Sequence, residues 1–262
     1  MEGSAIATKS VRSGARVLGT FVDALGWNEV LTTILSWAEN RRPAAICLCN
    51  VHSAVTAIDD SALARALNAS ELVLPDGAPI AWLLRRKGFK HQNRIAGPDL
   101  MERLCDFLQN TSTSIFLFGS SENTLRLLRH NLKTRFPGLT IAGALSPRFG
   151  RWTKEEESHY MEVIRQSGAG IIFIGLGCPK QEIWMSKYSR EIPGVLLGVG
   201  AAFDFHAETV RRAPVLLQTT GFEWLYRLHS EPRRLWKRYL VTNSRFILLS
   251  LGELFTRFGN RW

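Results

Sequence analysis

Lysine, glutamine and glutamate stand side by side at Lys180, Gln181 and Glu182, directly after Gly175-Leu176-Gly177-Cys178-Pro179. The residues before them, 170–174, are β-branched and aromatic, the composition of a strand buried on both faces of a parallel sheet. Gly175 and Gly177 let the backbone turn at little steric cost, and Pro179 suits the first turn of a helix. Strand, glycine turn and polar helix start together present backbone N–H groups at the carboxyl edge of a sheet, where α/β proteins bind phosphorylated ligands. The same residues would serve an ordinary β-to-α loop, yet a cation, an amide and a carboxylate in a row exceed what a helix cap needs.

Four further segments end apolar runs in the same way. Residues 47–52 finish on Asn50, which can cap a helix or bind a hydroxyl, and on His52, which reads as an acid, a ligand or a structural residue at a helix start. Pro75-Asp76-Gly77 presents an aspartate rigidly, as a general base, a hydroxyl ligand or a plain turn. Arg94-Ile95-Ala96-Gly97-Pro98-Asp99 opens a helix, with Asp99 as a ligand or a first-turn acid. Asp204 follows a small-residue turn and leads to Arg211-Arg212-Ala213-Pro214, whose forked guanidinium groups match diphosphate. The remaining histidines (91, 130, 159, 206 and 229) form no metal-spaced cluster.

These segments need a scaffold, and the chain supplies one. Strand-like runs at 16–22, 44–49, 71–74, 114–118, 139–142, 170–174 and 194–199 alternate with helical stretches near 27–40, 51–68, 77–87, 98–110, 121–136, 153–167 and 180–190. The alternation predicts an α/β fold: a Rossmann-like, mostly parallel sheet with helices on both faces, over residues 1–214. From 215 to 262 the period is helical throughout, interrupted at Pro232. There Leu235, Tyr239, Ile247, Leu251, Leu254 and Phe258 form an apolar stripe, with Trp236, Phe246 and Phe255 beside it and arginines on the flanks. A basic amphipathic helical appendage of this kind suits the surface of anionic lipid.

Charge points the same way. The net charge is +10, and residues 211–262 hold ten cations against three acids, a surplus of seven. Such a concentration asks for an anionic surface, either nucleic acid or phospholipid. The four cysteines (47, 49, 105 and 178) lack zinc spacing and read as reduced thiols of a cytosolic protein; Cys178 has no adjacent histidine to make it a nucleophile. The first sixteen residues lack the apolar core of a signal peptide, and no stretch reaches the roughly 18–20 apolar residues of a membrane span.

In this order and spacing the segments resemble the WecG/TagA/CpsF family of bacterial glycosyltransferases, from about residue 16 to 239. The most specific parts are Pro75-Asp76-Gly77, residues 94–99, residues 177–182 with their Pro-Lys-Gln-Glu core, Arg212-Ala213-Pro214, residues 221–227 and residues 231–234. The resemblance implies inverting, metal-independent transfer of a hexose or N-acetylhexosamine from a UDP-sugar to a polyprenyl-diphosphate-linked saccharide. The setting would be exopolysaccharide, capsule or cell-wall glycan synthesis, by a peripheral protein at the cytoplasmic face of the plasma membrane, with no cofactor. By matching position Asp76 and Asn50 are the catalytic residues, Asp76 as the base and Asn50 lining the pocket. His52, Gly97, Asp99, Gly119 and Asp204 belong to the substrate site, and Gly175, Gly177, Pro179, Lys180, Gln181 and Glu182 border the nucleotide-sugar. Arg212, Arg227, Arg233 and Arg234 meet diphosphate or lipid head groups. With no Asp-x-Asp dyad for a divalent ion, arginines and helix N-termini must neutralise the leaving group.

Three departures from the family pattern bear on the sugar bound: Leu48 replaces a frequent threonine, Gly119-Ser120-Ser121-Glu122-Asn123 replaces a glycine-rich turn, and Glu208 replaces a glycine. A nicotinamide-dependent oxidoreductase requires Gly-x-Gly-x-x-Gly after its first strand, and residues 22–26 do not match. A non-catalytic nucleic-acid binder accounts for the basic tail but leaves Pro75-Asp76-Gly77 and Pro-Lys-Gln-Glu without a task. It predicts salt-sensitive binding to nucleic acid, where the transferase predicts binding to anionic liposomes.

Overall fold

The computed structural model describes residues 12–220, 223–230 and 232–259; Gly221, Phe222 and Glu231 lie outside the described residues, as does the side chain of Arg234. Six strands form a sheet: β3 (Ala44–Cys49), β4 (Leu72–Pro75), β5 (Ile115–Gly119), β6 (Ile141–Leu145), β7 (Ile171–Gly175) and β8 (Val195–Gly198). Their order is β4-β3-β8-β7-β5-β6, and every pairing is parallel. The α/β expectation holds.

Ahead of the sheet, β1 (Gly14–Val17) and β2 (Thr20–Asp23) form an antiparallel hairpin. One strand over 16–22 was expected; instead Leu18 (φ 48°) and Gly19 (φ 87°) make a two-residue turn with both central residues left-handed. Leucine is an unusual turn residue, so the apolar run conceals the reversal.

Helices α1 (Trp27–Glu39), α5 (Gly97–Leu108), α6 (Glu122–Arg135) and α9 (Ala202–His206) cover one face of the sheet. The other carries α2 (Val51–Asp59), α3 (Ser61–Ala69), α4 (Ala78–Arg86), α7 (Lys154–Gln166) and α8 (Lys180–Tyr188). The expected helix over 51–68 divides because Asp60 caps a new start, accepting from the N–H groups of Ala62 (2.9 Å) and Leu63 (3.0 Å). Strand β3 is buried on both sides, with Ile46 and Leu48 in one core and Ala45, Cys47 and Cys49 in the other.

Because the strands are parallel, all their carboxyl ends meet at one edge. Strand β7 leads to β8 on one side and β5 to β6 on the other, so the chain diverges between β7 and β5 and opens a crevice there.

The C-terminal part is α10 (Val215–Thr220), α11 (Glu223–Ser230) and α12 (Pro232–Gly259), with Pro232 opening the last helix as expected of a first-turn proline. Helix α12 packs along α2. Phe246 is buried, Arg245 grips Asp59 with both guanidinium nitrogens, and Lys87 Nζ meets Glu253 Oε1 at 2.6 Å. The appendage thus folds back against the sheet, over its carboxyl edge.

Candidate active site

At that edge lies a pocket of about 850 Å³, walled by the loops after β3, β4, β5, β7 and β8 and, on the far side, by α11 and α12. Asp76 and Asn50 face each other within it. The N–H of Asp76 extends the β3–β4 ladder to the carbonyl of Cys49 at 2.8 Å. Gly77 follows with φ 91° and ψ 152°, a backbone that only glycine adopts without strain, and starts α4. Asn50 caps α2 by accepting from the N–H of Ser53 at 3.1 Å, which directs its Nδ2 to Asp76 Oδ2 at 3.3 Å. The cap therefore sets the direction of the amide.

Burial pushes the Asp76 carboxyl up to about 6; the Asn50 amide tempers the rise, Glu223 adds to it, and Arg94 and Arg227 oppose it. A carboxylate tuned this close to neutrality, with an amide donor behind it, can take a proton from a hydroxyl and hold it.

Of the other residues singled out by sequence, His52, Gly97, Gly175, Gly177, Gln181, Glu182, Asp204 and Arg227 also line the pocket. His52 Nδ1 lies 3.3 Å from Thr56 Oγ1, one turn along α2. Gly97 lets the start of α5 meet β8: a Cβ there would approach the carbonyl of Val199 to 2.9 Å. Arg227 reaches the pocket from α11, 5.3 Å from the ring centre of Phe205. Its Nε is buried without a partner.

Several residues stand elsewhere. The Pro-Lys-Gln-Glu motif divides: Gln181 and Glu182 turn inward, but Lys180 turns out, donating to the carbonyl of Gly150 at 2.8 Å and lying 3.5 Å from the ring centre of Trp152. Successive helical side chains point about 100° apart, so neighbours on α8 cannot all face one pocket. Pro179, after a cis peptide bond, precedes α8 outside the lining. Gly119 packs against Gly175, where a Cβ would come within 2.6 Å of backbone; Ser120, with φ 58°, faces the pocket in its place.

Asp99 and Arg212 do not line the pocket; they bond each other at 2.6 Å. Arg94 lies 3.5 Å from Asp99 and donates to Glu223 Oε2 at 2.8 Å and Gln218 Oε1 at 3.1 Å. The first-turn acid of α5 thus gathers two arginines into a polar network that ties the sheet to α10 and α11. Arg233 is exposed on the first turn of α12 and does not line the pocket.

Sequence reasoning missed Glu223, Trp82 and the inner face of α12. Glu223 lies within residues 221–227, where the sequence alone marks no function for it. Tyr239, Thr242, Asn243, Phe246 and Ser250 face the pocket at helical spacing, and the small polar group at 242–244 within an apolar helix was the available signal. Among the described residues, no three His, Cys, Asp or Glu side chains converge as a metal-holding group.

A wholly parallel α/β sheet whose polar groups converge in a pocket at its carboxyl edge defines the class: a ligand-binding α/β protein of the doubly wound type. Within that class the chain belongs to the glycosyl transferase WecG/TagA/CpsF family, whose profile matches residues 15–260. It is similar to the N-acetylglucosaminyldiphosphoundecaprenol N-acetyl-beta-D-mannosaminyltransferase of Bacillus spizizenii, 28% identical over 221 residues that cover 84% of each chain.

Proposed function

We propose that this glycosyltransferase moves a hexose or N-acetylhexosamine from a UDP-sugar to a saccharide carried on polyprenyl diphosphate, with inversion and without a bound metal. The observation that carries the reading is Asp76, buried at the sheet edge and held by Asn50, in a pocket that also receives Arg94 and Arg227. Asp76 takes the proton of the acceptor hydroxyl as the oxygen bonds to the anomeric carbon. The bond to UDP breaks on the opposite face, its electron pair passes to the diphosphate, and the guanidinium of Arg227 steadies the new charge. A single displacement of this kind inverts the centre.

The relative supports the acceptor, since its name gives an undecaprenol-diphosphate-linked N-acetylglucosamine. The shape of α12 supports it. Phe246, Thr242 and Ser250 are buried, while Leu240 (63% exposed), Val241 (61%) and Leu248 (71%) face outward. Ile247 and Leu251 line the pocket and are exposed as well, so the pocket opens onto this apolar face. A ligand with a polar head and a hydrocarbon tail fits such a mouth, and the basic appendage fits an anionic membrane surface. No helix among the described residues is long and apolar enough to cross a membrane. We place the protein at the cytoplasmic face of the plasma membrane, bound peripherally, in the synthesis of exopolysaccharide, capsule or cell-wall glycan. Residues 1–214 form the transferase domain and 215–262 the membrane-associating appendage.

The test is UDP release from a panel of UDP-sugars with a short-chain prenyl-diphosphate saccharide. One donor should support turnover at full velocity in excess chelator, and the product should carry the inverted linkage. Release with no donor, or strict dependence on added manganese, overturns the reading.

A further inference from the structure

Glu182 is 1% exposed on the pocket wall, yet the transfer chemistry above gives it neither a proton to move nor a charge to balance. Its Oε1 accepts from Gln181 Nε2 at 2.9 Å, while its Oε2 is buried without a hydrogen-bond partner. Gln181 is itself 5% exposed, and its Oε1 accepts from the N–H of Gly177 at 3.2 Å. The amide also lies against the end of β8: a Cβ on Gly198 would come 3.1 Å from Nε2, and one on Gly200 would come 3.6 Å from Oε1. Carboxyl, amide and turn therefore form a relay, and its direction is fixed at both ends. An amide fits one space either way round, and only an acceptor on one side and a donor on the other choose between them.

The turn so held is an unusual one. Gly177 has φ 80°, and Gly175 leaves no room for a Cβ, which would lie 2.7 Å from the Phe203 ring. The titratable groups that face Glu182 are thiols: Cys47 and Cys49 from β3 and Cys178 from its own loop. Strand β8 contributes only Val-Leu-Leu-Gly. Burial pushes the Glu182 carboxyl up, and no cation is among the groups acting on it.

We propose that Glu182 is a positioning residue for the nucleotide-sugar donor, orienting the Gln181 amide and, through it, the Gly175–Gly177 turn. This rests on the donor reading above and adds a residue that works at one remove from the ligand. That contact does the orienting: Glu182 Oε1 accepts from Gln181 Nε2, which leaves the amide oxygen turned to Gly177.

The test measures UDP binding to the full chain by calorimetry, and the Michaelis constants for donor and acceptor separately. Glu182→Leu should weaken UDP about tenfold and raise the donor constant similarly, with the acceptor constant changed by less than about twofold. Glu182→Gln, which keeps an acceptor oxygen, should recover most of the loss at neutral pH. Gln181→Ala should match Glu182→Leu, and combining the two should add little, because they remove one relay. If Glu182→Leu does not fold, the Gln181→Ala/Glu182→Gln cycle carries the test. Binding of UDP undiminished by Glu182→Leu, or Glu182→Gln as weak as Glu182→Leu, overturns the proposal. Failure of the native chain to bind UDP removes the donor reading itself.

Discussion

The carboxyl edge of the sheet and the C-terminal appendage both wall the pocket, but they are held by different means. Asn50 and Asp76 sit at the ends of paired strands, where backbone hydrogen bonds and completely buried neighbours such as Ile46, Val73 and Leu74 leave them no latitude. Among its described side chains the appendage buries only Phe246, Thr242 and Ser250, and exposes at least six large apolar ones. It is tied down by Arg245–Asp59, Lys87–Glu253 and Arg94–Glu223. Each fully buried large apolar side chain is worth about 1.5–3 kcal/mol, and the sheet edge has many where the appendage has few, so the sheet edge is the stiffer wall. The proposed proton transfer falls on the stiff wall, where geometry must hold to a fraction of an ångström. The wall proposed to meet lipid and acceptor is the one able to shift.

Removing the base should produce the largest effect. Asp76→Asn should cut turnover on the order of a thousandfold while UDP still binds. In the native chain kcat/KM should fall with unit slope as pH drops through about 6, because Asp76 must be ionised to act. The sign for stability is opposite. A carboxyl raised from 3.8 to about 6 contributes stability that is full below the lower value and lost as pH rises through the upper. Asp76→Asn should therefore melt above the native protein at pH 8 and close to it at pH 4, as scanning calorimetry would show. Equal melting at both values would mean that the aspartate carries no desolvation cost.

Arg227 asks whether chemistry is confined to the sheet. It lies on α11 and lines the pocket; if it steadies the leaving diphosphate as proposed, Arg227→Ala should lower kcat about a hundredfold. Arg227→Lys should restore only part, since an ammonium lacks the planar fork. A loss confined to KM would return Arg227 to binding alone. The outward leucines should matter less and differently. Leu240→Gln with Leu248→Gln should weaken liposome binding about tenfold, because each removes exposed apolar surface from the face proposed to meet lipid. Turnover on a soluble short-chain acceptor should shift by less than about twofold if the two walls work separately.

The stiff wall was also the legible one. Alternating apolar runs and helical periods gave the parallel sheet, and Pro75-Asp76-Gly77 could be read as a presented aspartate because strand end, proline and glycine act within three residues. Local chemistry hid what depended on distant partners. Leu18 turns a hairpin without the look of a turn residue, and Asp60 divides a helix whose apolar period runs on. Arg212 was expected at the diphosphate, but Asp99, 113 positions away, holds it. Lys180 shares a motif with Gln181 and Glu182, yet the helical step sends it to Gly150 and Trp152. The inner face of α12 was the least legible: the apolar stripe was read toward lipid, and nothing in it marked Thr242, Phe246 and Ser250 as the face buried over a cavity.

The smallest expected effect tests the stiff side away from the pocket. Glu208 follows α9 with φ 58°, its N–H bonded to the carbonyl of Phe205 at 3.1 Å, and it occupies a position where the family pattern has glycine. A left-handed backbone costs a non-glycine residue about 1–2 kcal/mol, whereas glycine costs about 0.5–1 kcal/mol through the freedom it gains on unfolding. The balance slightly favours Glu208→Gly, which should melt higher by a few degrees at most. Because the side chain is exposed and outside the pocket, kcat and both Michaelis constants should stay as they are. A lower melting temperature would show that the glutamate makes contacts worth more than its strain. A changed donor constant would show that the α9 end reaches the pocket through Asp204, and the sheet edge would then be less self-contained than its backbone bonding implies.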